Sequence, residues 1–405
     1  MATVKPFRAI RPQASLAEQI CELPYDVLSS SEARSQAADN PLSFFYISKP
    51  EIDLPEDTDP YSDQVYEKGA QRFQALREQG ALFQESAPCY YLYRQIMGGH
   101  SQMGLVASSS CQEYLDGTIK KHEFTRPDKE NDRVRHIESL NAQTGPVFLT
   151  YRCTPELDEL FSEQSAGEPD VDFTGKDGVR HTAWTLREPD LIAKVESSFQ
   201  LIDRLYIADG HHRSAAAGRI FQTRQGEGES SGFLTVLFPH NQMQILAYNR
   251  AVKDLNGKRP EEILSALQGL GTLENADQPV NPSHKHEIGI YMAHQWYRFE
   301  FGAPSIPEED PVAALDVSLL QDHVLDPLLG IEDPRKSQRI SFVGGIRGLS
   351  ALEKLVDSED YAIAFSMHPT SIVDLMAIAD ADGIMPPKST WFEPKLKDGM
   401  FTQLI

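Results

Sequence analysis

The densest chemistry in this sequence lies at Ile207-Ala208-Asp209-Gly210-His211-His212-Arg213, where a carboxylate, a glycine, two imidazoles and a guanidinium are consecutive. Residues 205–208 form a short apolar run that reads as a buried strand, and residues 214–221 read as an alanine-rich helix. Residues 209–213 are therefore expected in the turn between them. A helix N-terminus offers unpaired N–H groups and the positive end of its dipole, which favour phosphate by about 0.3–1 kcal/mol when exposed and ~2 kcal/mol when partly buried. Gly210 lets the backbone approach an anion, and Arg213 can hold two phosphate oxygens at once. Asp209 and Gly210 alone would be accounted for by a helix cap and a turn. His211, His212 and Arg213 would not, and a phosphate or metal-phosphate site is the chemistry that suits them.

A second cluster is Lys120-Lys121-His122-Glu123-Phe124-Thr125-Arg126-Pro127. Pro127 suits the first turn of a helix reaching about residue 140, so His122, Glu123 and Arg126 fall in a polar turn before it. On that helix Asp132 and His136 share a face, while the charge alternation over 128–132 is what a solvated helix would show. Glu123 is the candidate general base, since a carboxylate among local cations can accept a proton and be held in place. Two later segments add polar groups. His368 follows an apolar strand at 361–365 and precedes a helix with Ile372, Leu375, Met376 and Ile378 on one face; a cap by Thr370 or Ser371 leaves His368 unexplained. Lys388, Ser389 and Thr390 sit in a proline-framed turn, read either as a phosphate clamp or as a segment packing Trp391 and Phe392 on the body. The glycines at 343–348 lack the Walker lysine and the dinucleotide spacing. Adjacent His211 and His212 do not share a helix face as a zinc-binding His-x-x-x-His pair does.

The elements that must position these groups read as a strand at 6–12, helices at 16–21 and 32–38, and an amphipathic helix at 61–80 carrying Val65, Tyr66, Phe73 and Leu76 on its apolar face. A hairpin at 90–96 and 103–109 follows, then strands at 147–151, 171–174, 180–186, 233–238 and 244–251. The fold class is α/β of the α+β kind with mixed sheets. A break at 256–260 divides a site-bearing region, 1–255, from a C-terminal α+β region, 256–405, beginning with a helix at 261–270 and a hairpin around 293–295. That second region is expected to complete the site, with Lys388 adding charge to a phosphate and His368 lining the substrate side.

Lys and Arg total 38 against 60 Asp and Glu, a formal charge of −22, which disfavours nucleic acid as a partner. Against that background the local cations at 120–126 and 213 can focus an anionic metabolite. No apolar run approaches the ~20 residues needed to span a bilayer, and the first residues lack the apolar core of a secretion signal. No membrane association and a cytoplasmic location are the expectation, with a homodimer left open. Cys21, Cys89, Cys111 and Cys153 are scattered without a metal-like pair and read as reduced thiols.

The combination Lys5-Pro6-Phe7-Arg8-Ala9-Ile10-Arg11-Pro12, Leu23-Pro24-Tyr25-Asp26-Val27, Lys121-His122-Glu123, Asp209-Gly210-His211-His212-Arg213, His368-Pro369-Thr370 and Met385-Pro386-Pro387-Lys388-Ser389-Thr390 resembles the domain of unknown function 1015 family over essentially the whole chain. More distantly, the Asp-Gly-His-His-Arg turn is similar to that of the ParB and sulfiredoxin-like superfamily, which includes free L-serine kinases. That resemblance implies a ParB-like core with large insertions, nucleotide phosphate and Mg²⁺ held at residues 209–213 with Asp209 on the metal, and ATP or ADP as co-substrate. It implies a phosphotransferase acting on a small hydroxyl metabolite such as serine, or a phosphoserine phosphatase. The glutamate that activates the hydroxyl does not carry over by motif; Glu123 is assigned from its own surroundings. A non-catalytic nucleotide or metabolite sensor is the alternative, and a ParB-like DNA-binding role is opposed by the charge.

Overall fold

A computed structural model describes residues 1–307 and 309–405. The chain divides into two compact units, Met1–Met243 with Pro394–Ile405, and Gln244–Glu393. The first is built on a mixed sheet whose strands run in the order Ile119–Lys120, Leu205–Asp209, Val147–Tyr151, Gly232–Pro239, His100–Ser110, Tyr90–Met97, Arg180–Leu186 and Val171–Thr174, with Val4–Lys5 pairing on His100–Ser110. The first two strands are parallel to each other, as are Val147–Tyr151 and Gly232–Pro239; the remaining pairs are antiparallel. Val147–Tyr151 and Gly232–Pro239 are buried at every position, which is why their sequences are almost unbroken apolar runs. The expected strand at 6–12 is two pieces, Val4–Lys5 on the main sheet and Ile10–Pro12 paired with Leu82–Gln84. Pro6 has no N–H to continue a ladder, and the chain changes partners there.

Helix Pro127–Leu140 packs against helix Asp63–Glu78 on one side and helix His211–Thr223 on the other. Its charge alternation is therefore only partly a solvated face. Asp128 is exposed, whereas Asp132 and Arg133 are buried as an ion pair at 2.7 Å, and Asp132 also accepts a 2.8 Å hydrogen bond from the Tyr66 hydroxyl. His136 is buried with Nε2 at 2.8 Å from the Ile47 carbonyl. The alanines of His211–Thr223 also have a packing reason: a Cβ at Gly218 would meet the Tyr114 ring at 3.0 Å, so this helix lies too close to helix Cys111–Asp116 for large side chains.

Strand Leu205–Asp209 contains an irregularity that sets the site. Ile207 pairs with Leu149, yet Asp209 pairs with Phe148, so Ala208 is one extra residue on this strand. Leu149 and Ile207 belong to the main apolar core, with Val147 next in phase. Cross-strand partners share a face, so the extra residue takes Asp209 off the core face and onto that of Phe148.

Residues 394–405 return to the first unit. Gln403–Leu404 pairs with Ala142–Gln143, Asp398 exchanges backbone hydrogen bonds with Glu22, and the buried Lys397 ammonium lies 2.8 Å from Asp177. The second unit is an antiparallel sheet in the order Gly271–Ala276, Gln295–Phe301, Glu287–Met292, Ile363–Met367, Tyr248–Val252 and Ile340–Gly344, with Gln244–Leu246 paired separately to Trp391–Glu393. Its tight hairpin turns at Ala293 and His294, whose φ angles of 51° and 62° suit the twist of the flanking strands. The four cysteines are free, three of them buried, and burial pushes the Cys111 thiol up to about 12. Among the described residues no helix is long and apolar enough to cross a membrane.

Candidate active site

Asp209 ends its strand, Gly210 is a single left-handed residue with φ of 98°, and His211 already begins the helix. The five-residue turn expected from the sequence is thus one residue long, and His211, His212 and Arg213 form the first helical turn, where backbone N–H groups lack intrahelical partners. The Arg213 side chain folds back over the glycine: a Cβ at Gly210 would lie 3.0 Å from Arg213 Nε. Gly210→Ala is expected to cost about 1–2 kcal/mol for the left-handed backbone and to displace the guanidinium. Denaturation midpoints and phosphate affinity, measured together, check both effects.

Charges converge on this turn from distant segments. Asp209 Oδ2 lies 3.3 Å from Lys395 Nζ and 3.9 Å from Arg213 Nη2. Burial would raise the Asp209 carboxyl, but Lys395 and Arg213 outweigh it and hold the group below the usual carboxylate range. Arg213 donates to the Pro146 carbonyl through Nη1, while its buried Nε has no hydrogen-bond partner. His211 is buried, its ring edge-to-face with His122 at 4.5 Å between centroids. Burial lowers the affinity of both for protons, His122 to about 4, and the neighbouring imidazole adds to the effect at His211. Both are neutral at pH 7, and His211 Nε2 and His122 Nδ1 are buried without partners. Glu123 Oε2 lies 3.8 Å from His211 Nδ1, with the Glu123 side chain 44% exposed. With His211 neutral, this is a carboxylate placed beside an imidazole at the edge of solvent.

The other residues singled out in the sequence are placed as follows. His212 Nε2 accepts a 3.1 Å hydrogen bond from the Arg126 backbone N–H, which joins the 122–126 turn to the helix start. The Arg126 guanidinium itself pairs with Asp128 at 2.7 Å and is 70% exposed. Lys388, Ser389, Thr390 and His368 belong to the second unit. There the Lys388 ammonium lies over the Tyr248 ring at 5.4 Å, the Ser389 hydroxyl donates to the Pro386 carbonyl, and Thr370 donates to the Ser389 carbonyl. Among the described residues no cluster of three or more His, Cys, Asp or Glu side chains is arranged to hold a metal ion. A Mg²⁺ arriving with a nucleotide would share the Asp209 carboxylate with Lys395 and Arg213.

Sequence reasoning did not find Lys395 or Asp398 as site residues. The available signal was Lys395-Leu396-Lys397-Asp398, charges alternating with an apolar residue in a strand-like stretch of an acidic chain. Asp398 is 2% exposed, and burial pushes its carboxyl up to about 7 despite the nearby Arg213. Its ordinary value is 3.8, so between about pH 4 and 7 the folded chain holds a proton here that the unfolded chain has released. This group therefore loses stability as pH rises through that window, by up to roughly 4 kcal/mol. Buried His122 has the opposite slope, gaining stability as pH rises from about 4 to 6.5. Asp398→Asn is expected to be more stable relative to the natural chain at pH 8 than at pH 5, as read by urea denaturation at both values.

Several solved structures resemble this chain distantly. A conserved hypothetical protein from Pyrococcus furiosus is 13% identical with a TM-score of 0.36, covering 74% of this chain and 95% of that one. A free serine kinase in complex with AMP is 14% identical with a TM-score of 0.35, covering 74% and 92%. SbnI with C-terminal truncation from Staphylococcus aureus is 12% identical with a TM-score of 0.37, covering 74% and 87%. Comparison with curated proteins gives no match. The profile described as protein of unknown function (DUF1015) matches residues 4–318, which span the sheet, the Asp209–Arg213 segment and its Glu123–His122 neighbours, and this chain belongs to that family.

Proposed function

We propose that the first unit is a phosphotransferase that moves a phosphoryl group between an adenine nucleotide and a small hydroxyl metabolite, serine or phosphoserine being the pair to test. The observation that carries this reading is the convergence of Arg213, Lys395 and the open N–H groups of a helix start on one side, with a solvent-edged carboxylate, Glu123, beside His211 on the other. Phosphoryl transfer asks chiefly for positioning and for neutralisation of charge on the phosphate oxygens. Arg213 and the helix N-terminus supply both, and Lys395 adds charge through Asp209. In the kinase direction the acceptor hydroxyl attacks the terminal phosphorus, the bond to the nucleoside diphosphate breaks, and Glu123 takes the hydroxyl proton. Neutral His211 and His122 present ring nitrogens that can hydrogen-bond substrate without adding charge. Mg²⁺ bound through the nucleotide phosphates would contribute further neutralisation.

Phosphorus NMR of the protein with Mg²⁺, ATP or ADP, and serine or phosphoserine tests this reading. New phosphoester and nucleotide resonances at a rate proportional to protein support it. Saturable nucleotide binding without turnover would favour a sensor instead.

A further inference from the structure

The Leu23-Pro24-Tyr25-Asp26-Val27 segment has no part in the reading above, yet it meets the same helix from behind. A cavity of about 30 Å³ lies there within the first unit, lined by Tyr25, Arg133, Gln143, Thr144, Arg213 and Asp398 among others. That is room for about two water-sized polar groups. Its walls come from six separate stretches of chain: the Tyr25 segment, helix Pro127–Leu140, residues 143–147, helix His211–Thr223, strand Gly232–Pro239 and the returning tail. Two of the residues lining it carry a buried polar atom without a partner, Asp398 Oδ1 and Arg213 Nε, the residues being only 2% and 8% exposed. The Arg133 guanidinium is fixed, 3.8 Å over the Tyr25 ring and paired with Asp132. The exposed Asp26 stands near enough to act electrostatically on both Arg213 and Asp398.

Resting on the phosphotransferase reading, we propose that this cavity receives the ammonium and carboxylate groups of a small α-amino acid, the acceptor whose hydroxyl is phosphorylated. Arg213 borders both the cavity and Asp209, so a ligand held here adjoins the phosphate site. The two orphaned atoms are of opposite character: the Asp398 oxygen calls for a donor, the Arg213 Nε–H for an acceptor. With Asp398 protonated, as burial keeps it below about pH 7, the charges around them are already matched, with Arg133, Arg213 and Lys395 against Asp26, Asp132 and Asp209. A ligand with net charge would leave an uncompensated charge in a buried site, which is costly; a zwitterion offers one group to each orphan and leaves the balance unchanged. A Cβ at Gly145 would lie 2.9 Å from Asp398 Oδ1, so glycine keeps that oxygen open to the cavity.

The test is calorimetry on the full chain with three probes of similar size: L-serine, ethanolamine, which lacks the carboxylate, and glycerate, which lacks the ammonium. Serine is expected to bind at least roughly tenfold more tightly than either analogue, the loss expected for one charge-assisted hydrogen bond. Asp398→Asn is expected to lose serine affinity by a similar factor while its affinity for ADP is retained. Equal binding of ethanolamine or glycerate by the natural chain overturns the proposal, and so does unchanged serine affinity in folded Asp398→Asn. If Asp398→Asn does not fold, the analogue series on the natural chain decides alone. Serine selectivity without ADP binding or turnover would instead sink the phosphotransferase reading and leave the amino-acid cavity standing.

Discussion

Glu123→Gln is expected to slow phosphoryl transfer by about 10²- to 10⁴-fold, the range ascribed to a positioned general base, while ADP binds as before. The amide keeps the size and hydrogen-bonding reach of the carboxylate but cannot accept the hydroxyl proton. Because the side chain is 44% exposed, its replacement leaves no buried charge unpaired and the fold is expected to survive. Stopped assays with labelled ATP, alongside ADP calorimetry, separate the two effects. Full turnover in Glu123→Gln would remove this residue from the chemistry.

Arg213→Ala is expected to weaken nucleotide or phosphate binding by at least about 2 kcal/mol, the loss of charge-assisted contacts in a buried site. It also removes a buried cation that faces Asp209 and Asp398, so destabilisation will accompany the loss. Arg213→Lys separates the two: it keeps the charge and gives up the planar fork, so it is expected to stay folded yet bind phosphate more weakly. Unchanged calorimetric affinity in folded Arg213→Ala and Arg213→Lys would place the anion elsewhere.

Much of the first unit was legible because its signals are local. Val147–Tyr151, Val171–Thr174 and Arg180–Leu186 appear as read, and Pro127–Leu140 begins at its proline and ends at a left-handed Asn141. The pattern failed where partners are far apart in sequence. Asp132 and Arg133 look like surface charges in a heptad-scale window, and only the Tyr66 hydroxyl and the neighbouring helices make them interior groups. The closeness of Glu123 to His211 is an outcome of the Ile119–Lys120 strand pairing in parallel with Leu205–Asp209, a long-range choice that no local spacing encodes. Lys395 escaped for the same reason: its role depends on a tail that rejoins the first unit after the whole second unit has been traversed.

The extra residue at Ala208 makes the chemistry of Asp209 a matter of parity. Along a strand, odd and even positions belong to opposite faces, so the same residues paired regularly through Ala208 would set Asp209 opposite Val147 and aim the carboxylate at the apolar side, whereas the bulge sets it opposite Phe148. Two chains of this architecture could thus share every residue type around the helix start and differ in whether they hold a charged site at all. In comparing related sequences, the register in which Leu205–Asp209 pairs with Val147–Tyr151 is consequently a statement about function, although it alters no residue type.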